Sequence, residues 1–230
     1  MSCLTTGRFF YIFYSIVCDM NILSIDTSAS SFSLTLAKDG ENTTYVDSSD
    51  SISSETILVE INNLVTNCKL KPEDINTVIY NNGPGSFTGV RVSSAIVQAI
   101  GFSNDCPVYG INALMLIAYS YFKTTDQPQI QVIKKAFGNQ AFHGLFHLTN
   151  NSCTSKGSII TTAVSDVIIE ENYISLSDIK IVLDEHKENC LLICDFIGSE
   201  LLIEYYESYC SKKNKFDYKD ALPSYAGHTV

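Results

Sequence analysis

A glycine-rich segment joins a predicted strand to a predicted helix near residue 85, and this junction constrains the fold more than any other part of the sequence. The segment reads Gly83, Pro84, Gly85, Ser86, Phe87, Thr88, Gly89, Val90 and Arg91. Two glycines and a proline within three residues predict a tight turn, and Gly89 allows the start of the helix to approach another part of the molecule closely. A strand that runs directly into a helix is typical of an α/β protein.

Two functions are open for this segment. A glycine-rich loop at a helix N-terminus can bind an anion, but no lysine follows Gly89 as in a P-loop, and Thr88 stands where the dinucleotide fingerprint needs glycine. The loop can instead only pack and cap the helix, through Ser86 or Thr88. Arg91 in the first helical turn opposes the helix dipole, so we expect it to have a partner, either an acidic neighbour or a bound anion.

The apolar periodicity from Met20 onwards predicts three antiparallel strands followed by alternating helices and strands. Strands are predicted at 22–25, 32–36, 43–46, 78–80 and 108–111, and helices at 57–68, 90–102 and 112–122. Asp39-Gly40 predicts the hairpin turn before the third strand, and the serine-rich stretch 48–54 supplies an N-cap for the first helix. This order predicts a mixed sheet flanked by helices.

Residues 124–129, with Pro128, are the best linker candidate, so we divide the chain into an N-terminal subdomain, 20–125, and a divergent C-terminal subdomain, 126–230. In the second part the sequence predicts a hairpin around Gly138-Asn139, a buried strand at 191–194 and a helix at 200–210.

Residues 1–19 match no targeting rule. The uncharged stretch 9–18 imitates the core of a signal peptide, but no cleavage site with small residues follows, and about ten residues cannot span a bilayer. Because a well-patterned strand begins directly after Met20, we expect translation to start there. An ordinary N-terminal extension and a membrane-targeting segment are the alternatives.

Composition excludes several classes of protein. Fifteen Lys and Arg against 25 Asp and Glu give a formal charge of −10, so the surface repels phosphate backbones and direct, high-affinity binding of nucleic acid is disfavoured. No apolar run approaches the roughly 20 residues of a membrane span. The eight cysteines form no C-x-x-C pair, which favours reduced core thiols in a cytoplasmic protein.

The glycine-rich segment, taken with the opening strand MNILSIDTS at 20–28, closely resembles the bacterial TsaB (YeaZ) family. That family is the catalytically silent paralogue of TsaD, and both help to build threonylcarbamoyladenosine on tRNA. The resemblance runs from Met20 to about Phe122. It implies the actin-like ATPase (ribonuclease H-like) fold with two related subdomains, a heterodimer with TsaD, partnership with the ATPase TsaE, and a homodimer as one state of the free chain.

Past residue 125 the resemblance is loose. The family's Asp-Ala-Arg stretch is replaced by Lys134-Lys135-Ala136, and residues 194–198 only approximate its Gly-Asp-Gly. Pro223-Ser224-Tyr225 resembles the family's Pro-x-Tyr near the C-terminus. These departures put a role for the C-terminal motifs in doubt.

The resemblance also implies that no catalytic metal site is retained. TsaD carries a His-x-x-x-His pair on the helix after the fifth strand, where this chain has Ala113 and Ile117. Neither side chain can coordinate a metal. ATP and metal are therefore expected on the partner subunits, and this chain is expected to need no cofactor.

Other candidate catalytic groups are weaker. His143 and His147 would be neighbours on a helix, but the sequence favours a strand, where four residues cover about 13 Å. His186 and His228 have no visible partner set, and Ser86 has no base. The run Asp26, Thr27 and Ser28 ends the first strand, where the superfamily holds phosphate and magnesium. Asp26 is therefore either a retained nucleotide contact or a cap for a turn.

The second helix predicts a partner surface, because after Arg91 only Gln98 is long and polar. One side can pack on the sheet, and we expect the other to need cover. With the resemblance, this predicts a contact with TsaD through the first two helices. The predicted contact residues are Ile57, Ile61, Leu64, Val65, Val90, Ser94, Val97, Gln98 and Gly101.

The sequence therefore predicts a non-catalytic scaffold subunit that binds and activates TsaD together with TsaE. The alternative is an enzyme, either a stand-alone ATPase of the actin-like superfamily or a metallohydrolase that uses His143 and His147.

Overall fold

The computed structural model describes residues 20–29, 31–47, 53–180, 190–192, 198–211 and 217–224. The predictions for residues 1–19, 48–52 and 193–197, for Tyr225, and for His186 and His228 lie outside these residues.

The first sheet has five strands in the order β3-β2-β1-β4-β5. The elements of this part of the chain are β1 (Ile22–Asp26), β2 (Phe32–Lys38), β3 (Glu41–Asp47), α1 (Ser54–Asn67), β4 (Thr77–Gly83), α2 (Phe87–Asn104), β5 (Val108–Asn112) and α3 (Ala113–Thr125). Strand β2 is antiparallel to β1 and β3, whereas β4 runs parallel to β1 and β5. The predicted order of strands and helices is confirmed.

The second sheet repeats this connectivity. Its elements are β6 (Gln129–Lys135), β7 (Gln140–Thr149), β8 (Ser152–Ser155), β9 (Ile160–Ala163), β10 (Ile174–Ser177) and β11 (Cys190–Leu192). The order is β11-β10-β6-β7-β8, with β6 antiparallel to β7 and parallel to β10, and β9 pairs with the other end of β7. Each sheet thus begins with an antiparallel hairpin and a third strand, which are followed by two parallel strands. This repetition is expected for two related subdomains.

Local sequence explains the ends of these elements. Asp39 and Gly40 have φ values of +53° and +79°, which suit the tight turn between β2 and β3. The Ser53 side chain accepts a hydrogen bond from the Thr56 N–H and caps α1, and the Asn112 side chain accepts from Leu114 and caps α3.

The first sheet has a core on both of its faces. Helices α1 and α2 cover one face, where Leu23, Val78 and Val97 are fully buried. Helix α3 covers the other face and also packs on β6 and β7, so that Leu114 shares a core with Phe146 of the second sheet. Helix α3 therefore joins the two subdomains through buried apolar area.

Residues 199–211 return to the first sheet. Helix α4 (Ser199–Tyr205), which continues into a π-helical turn (Tyr206–Cys210), packs on β1, β2 and β4. The Ser199 N–H donates to Ser33 Oγ at 2.8 Å, and Ser24 Oγ donates to the Ser199 carbonyl at 2.6 Å. Helix α4, which lies within the predicted C-terminal subdomain 126–230, thus packs on the first sheet and shares a core with residues of both sheets.

Within the described ranges, the cysteines are free thiols and no helix is long and apolar enough to cross a membrane. Cys106, Cys153 and Cys190 are buried. Burial raises the pKa of the Cys106 and Cys190 thiols, as expected for side chains packed in a core.

Candidate functional site

The glycine-rich loop lies against the loop that follows β1. Ser86 caps α2, since its Oγ accepts a hydrogen bond from the Gly89 N–H at 3.3 Å. The Ser86 N–H donates to the Ser28 carbonyl at 2.7 Å, and Thr27 Oγ1 donates to the Gly89 carbonyl at 2.7 Å. The predicted cap is confirmed for Ser86, and the two loops form one hydrogen-bonded unit.

The glycines of the motif are required by this contact within the chain. A Cβ atom on Gly89 would overlap the carbonyl oxygen of Thr27, and one on Gly85 would lie 2.8 Å from the Cβ of Ser28. Gly83 has a φ of +99°, which favours glycine. The close approach that the sequence predicts for Gly89 is thus made with the chain's own backbone.

Asp26 is buried and hydrogen-bonded at the end of β1. Its Oδ1 accepts from the Ser28 N–H at 2.9 Å, and its Oδ2 accepts from Asn81 Nδ2 at 3.2 Å. Asn81 Nδ2 also donates to Ser28 Oγ, and Asn81 Oδ1 accepts from the Gly83 N–H. Asp26 therefore caps the turn that follows β1, which was the second of its two predicted roles.

Sequence reasoning missed Asn81, although it is the residue that links Asp26 to the glycine-rich loop. Asn81 lies near the carboxyl end of β4, which pairs in parallel with β1. The signal was available, because the carboxyl ends of neighbouring parallel strands meet at one edge of a sheet.

Arg91 contacts an aromatic ring, whereas the sequence predicted an acidic neighbour or a bound anion as its partner. Its guanidinium carbon lies 3.3 Å from the centre of the Phe87 ring, a cation–π contact that the sequence analysis did not anticipate. Phe87 is 49% exposed, so this pair lies at the surface.

A cleft of about 540 Å³ separates the two subdomains beside the glycine-rich loop. It is lined by Ser28, Ala29, Gly85 and Ser86 on one side and by Lys134, Lys135, Ala136, Phe137, Phe142 and Asp178 on the other. Lys134 Nζ lies 3.9 Å from Asp178 Oδ2, and the Lys135 N–H donates to Asp178 Oδ1 at 2.6 Å. Asp178 thus contacts both lysines of the cleft, through the side chain of Lys134 and the backbone of Lys135.

The candidate metal ligands do not come together. His143 and His147 both lie in β7, where four residues separate them by about 13 Å, too far to share one ion. His143 Nε2 is 2.9 Å from Thr162 Oγ1, and burial lowers the pKa of His143. In the part of the chain that the structure describes, no group of three potential ligands could hold a metal ion.

Ala113 and Ile117 are core residues in the first two turns of α3. They are 3% and 5% exposed and belong to the core that joins the subdomains. At these positions the chain has apolar packing and no metal-coordinating side chain.

The predicted contact residues on α1 and α2 need correction, because most of them are inside the chain. Val97 is fully buried and Ser94 is 4% exposed. Those buried with them are Ile57, Ile61, Leu64, Val65, Val90 and Gly101. The side of α2 that was expected to stay open is covered by the chain's own residues 217–224, where Gln98 Nε2 donates to the Ala221 carbonyl at 2.9 Å.

A different surface of the two helices is open to solvent. We define the outer face of α1 and α2 by its exposed apolar residues, which are Leu58, Val59, Ala95, Ala99 and Phe102. Leu58 is 50% exposed and Phe102 is 70% exposed. The two helices contact each other on one face of the sheet, and these residues lie on their solvent-exposed sides.

Comparison with known proteins identifies relatives of this chain. A family model described as "TsaD: tRNA N6-adenosine threonylcarbamoyltransferase" matches residues 50–178. The "tRNA threonylcarbamoyladenosine biosynthesis protein TsaB" of Escherichia coli is 33% identical over 111 residues, which are 48% of each chain. The TsaB protein of Buchnera aphidicola subsp. Schizaphis graminum is 33% identical over 133 residues, 57% of this chain and 62% of that protein. The chain thus matches about half to three fifths of the length of these relatives.

Solved structures share the fold. "YeaZ from Pseudomonas aeruginosa" superimposes with a TM-score of 0.73 over 90% of this chain and 99% of that chain, at 18% identity. A protein described as having similarity to "peptidase YEAZ from Pseudomonas aeruginosa" gives a TM-score of 0.74 at 17% identity, with the same coverage. The predicted actin-like fold is confirmed. Since the family model matches more than half of the chain, the chain belongs to the TsaD (tRNA N6-adenosine threonylcarbamoyltransferase) family, and its predicted resemblance to the TsaB (YeaZ) proteins is confirmed.

Proposed function

We propose that this chain is a scaffold subunit in the biosynthesis of threonylcarbamoyladenosine on tRNA. It binds a TsaD-type partner, acts together with TsaE, and leaves the transfer reaction to the partner. The observation that carries the proposal is the packing of the glycine-rich loop. The glycines of this loop lie close against the backbone of Thr27 and Ser28. A nucleotide-binding loop would leave room there for a phosphate.

The names of the relatives support a role of this chain in threonylcarbamoyladenosine biosynthesis. The proteins of E. coli and B. aphidicola that match this chain are named as threonylcarbamoyladenosine biosynthesis proteins. The acidic chain, with a formal charge of −10, would repel tRNA. We therefore place tRNA, ATP and metal on the partner subunits.

The outer face of α1 and α2 is the surface that we assign to the TsaD-type partner. Leu58 and Val59 of α1, with Phe102 of α2, are large apolar side chains exposed to water. Ala95 and Ala99 of α2 are exposed and small, which lets a partner helix approach α2 closely. Exposed apolar surface of this kind commonly marks an interface.

The experiment is to mix the purified chain with TsaD from the same organism and to measure the mass of the complex. We expect the native chain to form a heterodimer. Leu58→Glu and Ala95→Glu should weaken the complex by at least about tenfold, because each places a charge in a desolvated contact. Ile168→Glu is the matched control, since Ile168 is 72% exposed on the second subdomain. Equal affinity of all four proteins for TsaD would contradict this interface.

A second candidate function is a stand-alone ATPase, and the cleft of about 540 Å³ beside Ser86 favours it. Phosphate release by the purified chain, measured with and without Asp26→Ala, distinguishes the ATPase function from the scaffold function. The scaffold proposal predicts no turnover above background for either protein. Turnover that disappears with Asp26→Ala would favour the enzyme.

A further inference from the structure

The last described residues, 217–224, form a strap that crosses from the second half of the chain onto α2. The strap begins with a single turn of 3-10 helix (Tyr218–Asp220). The Tyr218 ring packs edge-on against the Phe102 ring with 5.5 Å between centroids. Ala221 is 4% exposed and shares the core under α1 and α2. The strap is therefore packed as part of the first subdomain.

Three hydrogen bonds hold the strap at separate points. Gln98 Nε2 of α2 donates to the Ala221 carbonyl at 2.9 Å, and the Tyr80 hydroxyl of β4 donates to the Leu222 carbonyl at 3.1 Å. The Ser224 N–H donates to the Asn82 carbonyl at 2.7 Å. The last bond lies one residue before Gly83, so the strap reaches the start of the glycine-rich loop.

The sequence of α2 is adapted to the strap. Gly101 lies inside the helix, where glycine is destabilising relative to alanine. A Cβ at this position would lie 2.7 Å from the Cβ of Tyr218 and 2.6 Å from Val108 Cγ2. Glycine is thus needed where the strap and β5 approach the helix together.

We propose that the strap is a latch that sets the position of α2, and through it the outer face of α1 and α2. The sheet holds α2 on one side, and the strap holds it at Gln98, Gly101 and Phe102. Phe102 belongs both to the strap contact and to the outer face. The consequence for partner binding rests on the function proposed above, whereas the latch itself does not.

The test uses Gln98→Leu combined with Tyr80→Phe, which removes two donors to the strap and keeps the side-chain volumes similar. Amide hydrogen exchange should accelerate about tenfold both in the strap and in α2, because each lost hydrogen bond contributes on the order of a factor of ten to local closing. The affinity for TsaD should fall by a similar factor. Tyr109→Phe is the matched control, because Tyr109 lies on the next strand and faces Tyr206 on the opposite face of the sheet.

The outcomes are distinct. Faster exchange in the strap with unchanged exchange in α2 would show a passive tail and overturn the latch, as would unchanged exchange in both. If the double variant fails to fold, Gln98→Leu alone is measured against the same criteria. If the native chain does not bind TsaD, the proposed function fails, and exchange in α2 still decides whether the latch exists.

Discussion

The hydroxyl of Thr27 donates a hydrogen bond of 2.7 Å to the carbonyl oxygen of Gly89. This bond joins the end of β1 to the first turn of α2, across the place where a glycine-rich loop could otherwise face a ligand. Asp26, Asn81 and Ser28 extend the same network to the end of β4. The motif therefore acts in this chain as a structural joint between two loops.

Gly89→Ala tests the joint. The added methyl group would overlap the Thr27 carbonyl, which is backbone and cannot move aside cheaply, so we expect a loss of about 2 to 3 kcal/mol in unfolding free energy. Chemical denaturation measures the change. Thr88→Ala, at the exposed neighbouring position, is the control and should change stability by less than about 0.5 kcal/mol. A Gly89→Ala protein as stable as the native chain would show that the loops are not in this contact.

Val97→Glu and Ala99→Glu compare the two sides of α2. Val97 is fully buried, whereas Ala99 is exposed on the outer face. An unpaired buried carboxylate costs several kcal/mol, about as much as the whole stability of a domain, so Val97→Glu should be unfolded by circular dichroism. Ala99→Glu should keep the native spectrum. A folded Val97→Glu protein would support the exposed face predicted from the sequence instead.

Much of the first subdomain could be predicted because its signals are local. The alternation in β1 and β2, the turn at Asp39-Gly40 and the cap at Ser53 each depend on a few neighbouring residues. The glycine-rich loop was recognised for the same reason. What it contacts was not predictable, since Thr27 is 62 residues away from Gly89.

The errors came from contacts between distant parts of the chain. The apolar pattern of α2 predicted an open side, but that side is covered by Ala221, which is 123 residues from Gln98. Likewise α4 returns to β1 through Ser199. Nothing in the local pattern of residues 199–211 and 217–224 indicates that they pack on the first sheet and on α2, so these contacts were not predictable from the sequence.

Alkaline pH should unfold the protein through its buried tyrosines. Burial raises the pKa of Tyr80 to about 12 and that of Tyr209 to about 12, from 10.0. Because both tyrosines have a higher pKa in the folded state than in the unfolded state, stability is intact below pH 10 and is lost as the pH rises from 10 towards 12. Tyrosinate absorbance and circular dichroism should change together, and the loss should be smaller in Tyr80→Phe. Full tyrosine ionisation near pH 10 in a protein with a native spectrum would contradict this.

Acidic pH should destabilise the folded protein through the protonation of His143. Burial lowers its pKa from 6.5, so the unfolded chain binds the proton first, and this contribution to stability is present above pH 6.5 and lost as the pH falls below it. His143→Gln keeps a partner for Thr162 and should lose less stability between pH 7 and 5 than the native chain. His147→Gln, an exposed position in the same strand, is the control. Equal pH profiles for the native chain and His143→Gln would refute the assignment.

The most direct test of the scaffold function is a titration of this chain into a reaction that contains TsaD, TsaE, tRNA and the small-molecule substrates. The quantity measured is threonylcarbamoyladenosine in the recovered tRNA. A scaffold subunit must be present in each active complex, so product formation should rise in proportion to the added chain and saturate when it equals the TsaD concentration. Full product formation at a small fraction of that concentration, or with none of this chain added, would contradict the account.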